Sequence, residues 1–294
     1  GSLAAHILGY TGPISSDELK ANPNYGMNDT TGKSGLESVF EKYLRGTNGV
    51  NKVEMDSNGR MNQEYEITPS QKGSDIILTI DANLQQVAET SLENNIKKIT
   101  SGGFRYKYPD ADSGAVVAIN VKTGEVLAMA SYPSYDPSMF TGGISNKDWN
   151  ELINNPANPL YNRAIQAAYA PGSTFKMVSA IAGLDSGHIT VDEKILDTGI
   201  YDKAHHPRCW YYSDYGLTHG YVNVSEALKT SCNCFFYEVG YRMGIDTLSK
   251  YGTYFGLGTK TGIELQGEIN GVLASREYSN SKGKQWYVAD TLSA

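Results

Sequence analysis

No stretch of this sequence is apolar for long enough to cross a membrane as a helix. No internal repeat and no low-complexity tract is present, so neither a stacked-repeat array nor a compositionally biased tail is in view. Basic residues are in the minority, with 25 Lys and Arg against 32 Asp and Glu and a formal net charge of −7. Phosphate binding needs a concentrated basic surface, so nucleic acid is not the expected main partner. Cysteine is scarce and odd in number. Cys209, Cys232 and Cys234 fall within 26 positions, which is no disulfide framework for 294 residues. A metal site, one local bridge and free thiols all remain open. Three of the five histidines, His205, His206 and His219, share that region. No signal peptide is visible. The opening Gly1-Ser2 reads as a cloning remnant, with any natural N-terminal anchor lying before it.

What is present suits a globular fold. Hydrophobic residues make up 40% and charged residues 19%, enough for a sizeable core. Gly at 31 and Tyr at 21 suggest many turns and a polar, aromatic surface rather than a helix bundle. Residues 1–74 read as largely irregular, with a helix in "SGLESVFEKYLRG", where Leu36, Val39, Phe40, Tyr43 and Leu44 share one face. Ser34 with Glu37 forms a capping-box pattern and Gly46 a stop. Short strands follow, around an Asn58-Gly59 turn. From residue 75 the organisation changes. "DIILTI" reads as a buried strand, and Asp81 caps a helix with Leu84, Val87, Ala88, Leu92, Ile96 and Ile99 on one side. "GAVVAINVKTGEVLAMAS" reads as two strands joined at Lys122-Thr123-Gly124. Mostly helical segments follow, over 173–185, 225–230 and 234–244. An α+β fold, an antiparallel sheet with packed helices, is expected.

The segment "YAPGSTFKMVSAIAGLDSG" carries the first chemistry. Pro171-Gly172 sets a turn, and a helix starting beside Ser173 would aim backbone N–H groups at an anion near its hydroxyl. Lys176 lies one turn deeper, among Phe175, Met177, Val178, Ala180, Ile181 and Leu184. Desolvation favours the neutral amine, and a neutral amine near a serine can take its proton. The bland alternative is a snorkelling lysine beside an N-cap serine, which a bare S-x-x-K pattern does not exclude. Downstream, "ALKTSCNCFFYEVG" places Ser231 and Asn233 on either side of Cys232. A second hydroxyl can relay a proton and an amide can hold a carbonyl.

Taken together, "NRAIQAAYAPGSTFK", "HGYVNVSEALKTSCNCFFY" and "FGLGTKTGIELQGE" resemble the penicillin-binding proteins. "AAHILGYTGPIS" and "GKSGLESVFEKYLRGTNG" are similar to the N-terminal pedestal of the class B, monofunctional type, most like its elongation-type penicillin-binding protein 2 group. The resemblance implies the penicillin-binding/β-lactamase-like transpeptidase fold over 75–294, with an antiparallel sheet flanked by helices and a helical subdomain. It implies a remnant of the N-terminal pedestal domain over 1–74. Ser173 would be the acylated nucleophile, Lys176 its base, Ser231 a proton-transfer group and Asn233 a holder of the substrate amide. The oxyanion hole would use the Ser173 N–H and one N–H from a later strand. The family's Lys-Ser/Thr-Gly strand is not found. Lys260-Thr261-Gly262 resembles a loop that precedes it, and Lys122-Thr123-Gly124 is a hairpin turn. The C-terminal part is therefore expected to be truncated.

The resemblance also implies a D,D-transpeptidase that cross-links peptidoglycan stem peptides ending in D-Ala-D-Ala and is acylated by β-lactams. A glycosyltransferase of the membrane is an implied partner, and the outer side of the bacterial cell membrane the implied location. A β-lactam sensor or scaffold, and a β-lactamase or D,D-carboxypeptidase, are the competing readings. Some elongation-type relatives hold a zinc ion through residues matching Asp197, Cys209, His219 and Cys232. Asp202, His205 and His206 are reserve ligands. A Cys209–Cys232 disulfide and free thiols compete with zinc here.

Overall fold

Asp81 opens the helix Ala82–Ser101 by accepting the Leu84 N–H on its carboxylate at 2.8 Å. That cap, read from the sequence, is present in the computed structural model, which describes residues 1–55, 58, 61–287, 290 and 291. Among the described residues the strands form four antiparallel pairs, interleaved with helices, giving an α+β architecture. By packing, the chain divides into two compact units, 1–167 with 263–268 and 168–262 with 269–294.

In the first unit, Gly114–Ile119 pairs with Val126–Tyr132, from Gly114 opposite Tyr132 to Ile119 opposite Val126. The turn at Lys122-Thr123-Gly124 closes on the Asn120 carbonyl, and Gly124 takes a φ of 80° that disfavours any side chain. The helix Ala82–Ser101 lies on this hairpin, with Ala88 against Ala128 and Ala130. Leu84 and Val87, expected on its buried face, are exposed. Gln85 takes their place and is 1% exposed. Its amide receives the Met129 N–H at 2.7 Å and donates to the Met129 carbonyl at 2.9 Å. A side chain thus supplies what a neighbouring strand would.

Three other expectations change. The segment 75–80 is not a strand. Leu78 and Ile80 turn inward and Ile77 outward, as a strand would alternate, but the Asp81 N–H to Leu127 carbonyl bond is its backbone tie to the hairpin. The helix read over 34–45 is two short helices, Gly35–Val39 and Glu41–Leu44, broken at Phe40 (φ −104°, ψ 14°). Ser34 makes no side-chain cap there, so the capping box is absent. The strands Val50–Met55 and Met61–Thr68 do pair. Gly59 of the expected Asn58-Gly59 turn lies outside the described residues.

The second unit is mostly helical. Lys176–Asp185 packs on Asn233–Tyr254, which is broken at Gly244 (φ 70°, ψ 166°). Gly183 permits that approach, since a Cβ there would stand 2.9 Å from Val239 Cγ1. The core joins Ala180, Ala182, Val224, Ala227, Phe235 and Val239 to all three cysteines. Ile195–Asp197 and Gly220–Val222 form the unit's small ribbon, which sets Asp197 opposite Gly220. Lys260-Thr261-Gly262 is loop, as expected.

Gln85→Ala should leave both Met129 backbone groups buried and unpaired. The expected loss is about 2–4 kcal/mol in chemical denaturation of the unit that contains it. A loss within experimental error of zero would show that the amide does not hold the helix to the strand.

Candidate functional site

Gly172 turns the chain with a φ of 57°, and Gly172–Phe175 forms a 3₁₀ turn that runs into the α-helix Lys176–Asp185. Ser173 sits exposed on that turn, with Lys176 half-buried at the first α-helical position. The helix expected to begin beside the serine therefore does so through one tighter turn.

Ser231 comes from a different junction. Asn223 and Glu226 make a reciprocal capping box that starts Val224–Thr230. Ser231 ends that helix in the left-handed region, φ 52° and ψ 41°, with its N–H on the Ala227 and Leu228 carbonyls. A non-glycine residue rarely adopts this conformation, and such strain collects at working sites. Cys232 then caps Asn233–Tyr254, and Asn233 is its first residue.

The four residues meet. Lys176 Nζ donates to Ser231 Oγ at 3.1 Å, to the Ser231 carbonyl at 2.8 Å and to Asn233 Oδ1 at 2.6 Å. Ser231 Oγ lies 3.0 Å from Ser173 Oγ. Lys176 is thus linked to Ser173 through Ser231, where the sequence reading had the amine act on Ser173 directly. Burial holds the Lys176 pKa below its ordinary value, and the nearby Cys232 and Cys209 sulfurs oppose that shift.

Behind this chain lies a second cluster. Asp197, Cys209, His219 and Cys232 present ligand atoms that all lie within 4.8 Å of one another. The ribbon register brings Asp197 beside His219, whose N–H and Nδ1 lie 3.0 and 2.6 Å from Asp197 Oδ2. Cys209 Sγ is 3.5 Å from His219 Nδ1 and receives the Asn233 N–H at 3.4 Å. Gly199 donates its N–H to Asp197 Oδ1 at 2.8 Å, and only glycine fits there, because a Cβ would stand 2.4 Å from the Tyr212 ring.

Asp197, Cys209 and Cys232 are all at most 1% exposed. None of the three cysteines is in a disulfide, so no bridge joins Cys209 to Cys232. Hydrogen bonds from Cys232 and Cys234 hold the Cys209 thiol far below its ordinary pKa, while that same contact and burial push Cys232 and Cys234 up. Two sulfurs, one imidazole and one carboxylate within this span are a donor set that suits tetrahedral zinc, whose ligands stand about 2.0–2.3 Å from the ion. The backbone donors on Asp197 and Cys209 are the outer support such a site uses. Asp202, His205 and His206 are exposed and stand outside the cluster.

Sequence reading missed Glu238, which is 7% exposed and accepts from Tyr201, Lys203 and Arg242. The available signal was an acidic residue inside the apolar run "CFFYEVG".

Residues 114–291 match the family described as penicillin binding protein transpeptidase domain, and residues 1–78 match the penicillin-binding protein dimerisation domain. The chain is 37% identical over 300 residues to the peptidoglycan D,D-transpeptidase MrdA of Escherichia coli K12, covering 99% of itself and 44% of that protein. Among solved structures it is similar to Pseudomonas aeruginosa PBP2 in complex with WCK 5153, at 33% identity and a TM-score of 0.78, covering 99% of itself and 57% of that chain. It is also similar to PBP2 of Helicobacter pylori in complex with MreC, at 30% identity and a TM-score of 0.82, covering 99% of itself and 51% of that chain. The chain thus spans less than half the length of the curated relative.

The lowered Lys176 pKa has a thermodynamic sign. Folded protein sheds this proton at lower pH than unfolded chain, so between the two pKa values the unfolded state binds more protons and stability rises with pH. Lys176→Met should remove that rise. Urea unfolding of both proteins at intervals up to about pH 10.4, the ordinary lysine value, should show their difference changing with pH. A constant difference would mean that the amine is not depressed.

Proposed function

Because this chain belongs to the penicillin-binding protein transpeptidase family, we propose that it carries the nucleophile region of a peptidoglycan D,D-transpeptidase. The observation that supports this most directly is the hydrogen-bonded line from Ser173 through Ser231 to Lys176. With Lys176 neutral, its lone pair accepts the Ser231 proton as Ser231 accepts that of Ser173. The Ser173 oxygen attacks the carbonyl of the penultimate D-Ala, and the amide C–N bond breaks. The relay returns the proton to the leaving terminal D-Ala. The amine of a neighbouring stem peptide then attacks the acyl-enzyme, gives up its proton along the same line and frees Ser173. A β-lactam enters the first half of this sequence, but its opened ring stays attached and blocks the second.

Asn233, held by its contact with Lys176, would orient the substrate amide. We further propose that Asp197, Cys209, His219 and Cys232 hold one zinc ion of structural role. Cys232 lies between Ser231 and Asn233, so the ion would fix the turn that presents both. When bound, the ion would supply cross-linking of its four ligands. The substrate sets the location on the outer side of the bacterial cell membrane. A membrane glycosyltransferase of the cell-wall machinery is the proposed partner.

Full-length protein incubated with a fluorescent penicillin should gain one covalent adduct, mapped by mass spectrometry to Ser173. Ser173→Ala should abolish it, and Ser231→Ala should slow it by about 10²–10⁴-fold. Labelling at another residue would remove the assignment. The acylation rate should climb with pH through the depressed Lys176 pKa and level off above it, while Lys176→Arg, which stays charged, should show no such rise.

Metal analysis of protein purified without added zinc should find one equivalent per chain, lost in Cys209→Ser. Absence of metal from wild-type protein, or its retention in that variant, would refute the zinc assignment.

A further inference from the structure

Two of the four clustered ligands, Asp197 and Cys209, flank the loop 198–208. Its base is laced by backbone. The Cys209 N–H bonds the Gly199 carbonyl at 2.8 Å, Ile200 bridges Arg208, and the Tyr201 N–H reaches the Pro207 carbonyl at 3.0 Å. Beyond that lacing, two side chains tie the loop to the helix that begins at Asn233. Tyr201 Oη donates to Glu238 Oε2 at 2.7 Å, and Lys203 Nζ donates to both Glu238 oxygens at 2.7 Å.

Glu238 sits one helical turn past Cys234 and is itself clamped. Arg242 Nε donates to its Oε1 at 2.8 Å, and Arg242 in turn bonds Glu193 at 2.6 Å and the His188 carbonyl at 3.3 Å. Glu238 and Tyr201 are 7% and 5% exposed, and Tyr201 packs in the same core as Cys209, Cys232 and Cys234. A carboxylate so nearly buried is costly unless it is fully paired, and here two cations and a phenol pair it.

We propose that Glu238 is a positioning residue for the metal cluster: through Tyr201 and Lys203 it fixes the 198–208 loop, and so the placement of Asp197 and Cys209 relative to Cys232. The inference rests on the zinc reading given above. The Glu238 carboxylate has Tyr201, Lys203 and Arg242 as its hydrogen-bond partners, none of them one of the four ligands. It acts through the loop, as outer supports of metal sites do. The same helix carries Cys232 at its cap and Asn233 at its first turn, so one rigid element holds one ligand directly and two others through the Glu238 tether.

The test uses the full-length protein with Tyr201→Phe, Glu238→Ala and Glu238→Gln. Zinc affinity is read by competition with a chromophoric chelator, and ligand geometry by the absorption spectrum of the cobalt-loaded protein. Tyr201→Phe removes one hydroxyl and should lower zinc affinity by about 10–100-fold, with altered cobalt bands. Glu238→Ala should do at least as much. Glu238→Gln keeps an acceptor for Tyr201 and should recover part of the affinity, which a general loss of stability would not follow. Wild-type affinity and spectrum in Tyr201→Phe would overturn the proposal even if Glu238→Ala failed to fold. Wild-type protein that binds no zinc would overturn the metal reading itself, and this proposal with it.

Discussion

The contact between Lys176 Nζ and Ser231 Oγ is the constraint on which the site depends. It joins residues 55 positions apart and exists because Ser231 accepts a left-handed backbone between two helices. In an ordinary helical conformation at that junction, the side chain would not be turned as it is. Three successive residues serve two centres: Ser231 and Asn233 bond Lys176, while Cys232 enters the buried cluster with Asp197, Cys209 and His219. The left-handed Ser231, the extended Cys232 and the helical Asn233 do this without separate scaffolding. A shift of Cys232 would move both neighbours together.

Charge placement follows the same economy. Lys176 stands in partly apolar surroundings, which lowers its affinity for a proton, yet three oxygens accept from it. The sulfur cluster behind it pulls the other way. The balance leaves the amine easier to deprotonate than a fully solvated lysine. Elsewhere in the unit, Glu238 is buried but surrounded by donors, so it stays ionised below its ordinary pKa although burial alone would raise it.

Much of the site was legible in the sequence because its residues sit where local rules are strong. Pro171-Gly172 forces a turn before Ser173, and Asp81 spells a helix start in the first unit. What failed to show was governed by partners far along the chain. The apolar period over 34–45 is real, but Phe40 packs with Leu36, Leu78 and Met129, and the helix breaks there. The apolar face read through Leu84 and Val87 leaves Gln85 out, and only the hairpin more than forty positions later makes it the buried one. Ser231 was read as a proton-transfer group, but its place between Ser173 and Lys176 was hidden, since spacing along a chain says nothing of which hydroxyl lies nearest an amine.

Gln85 has one more effect. Both polar groups of Met129 are taken by its amide, the Leu127 carbonyl by Asp81 and the Val126 carbonyl by Thr79, so that side of the hairpin is partly covered. Unsealed strand margins invite unwanted joining between molecules. Over Val126–Met129 this margin is occupied by side chains and a single backbone amide, which leaves less of it open to an incoming strand.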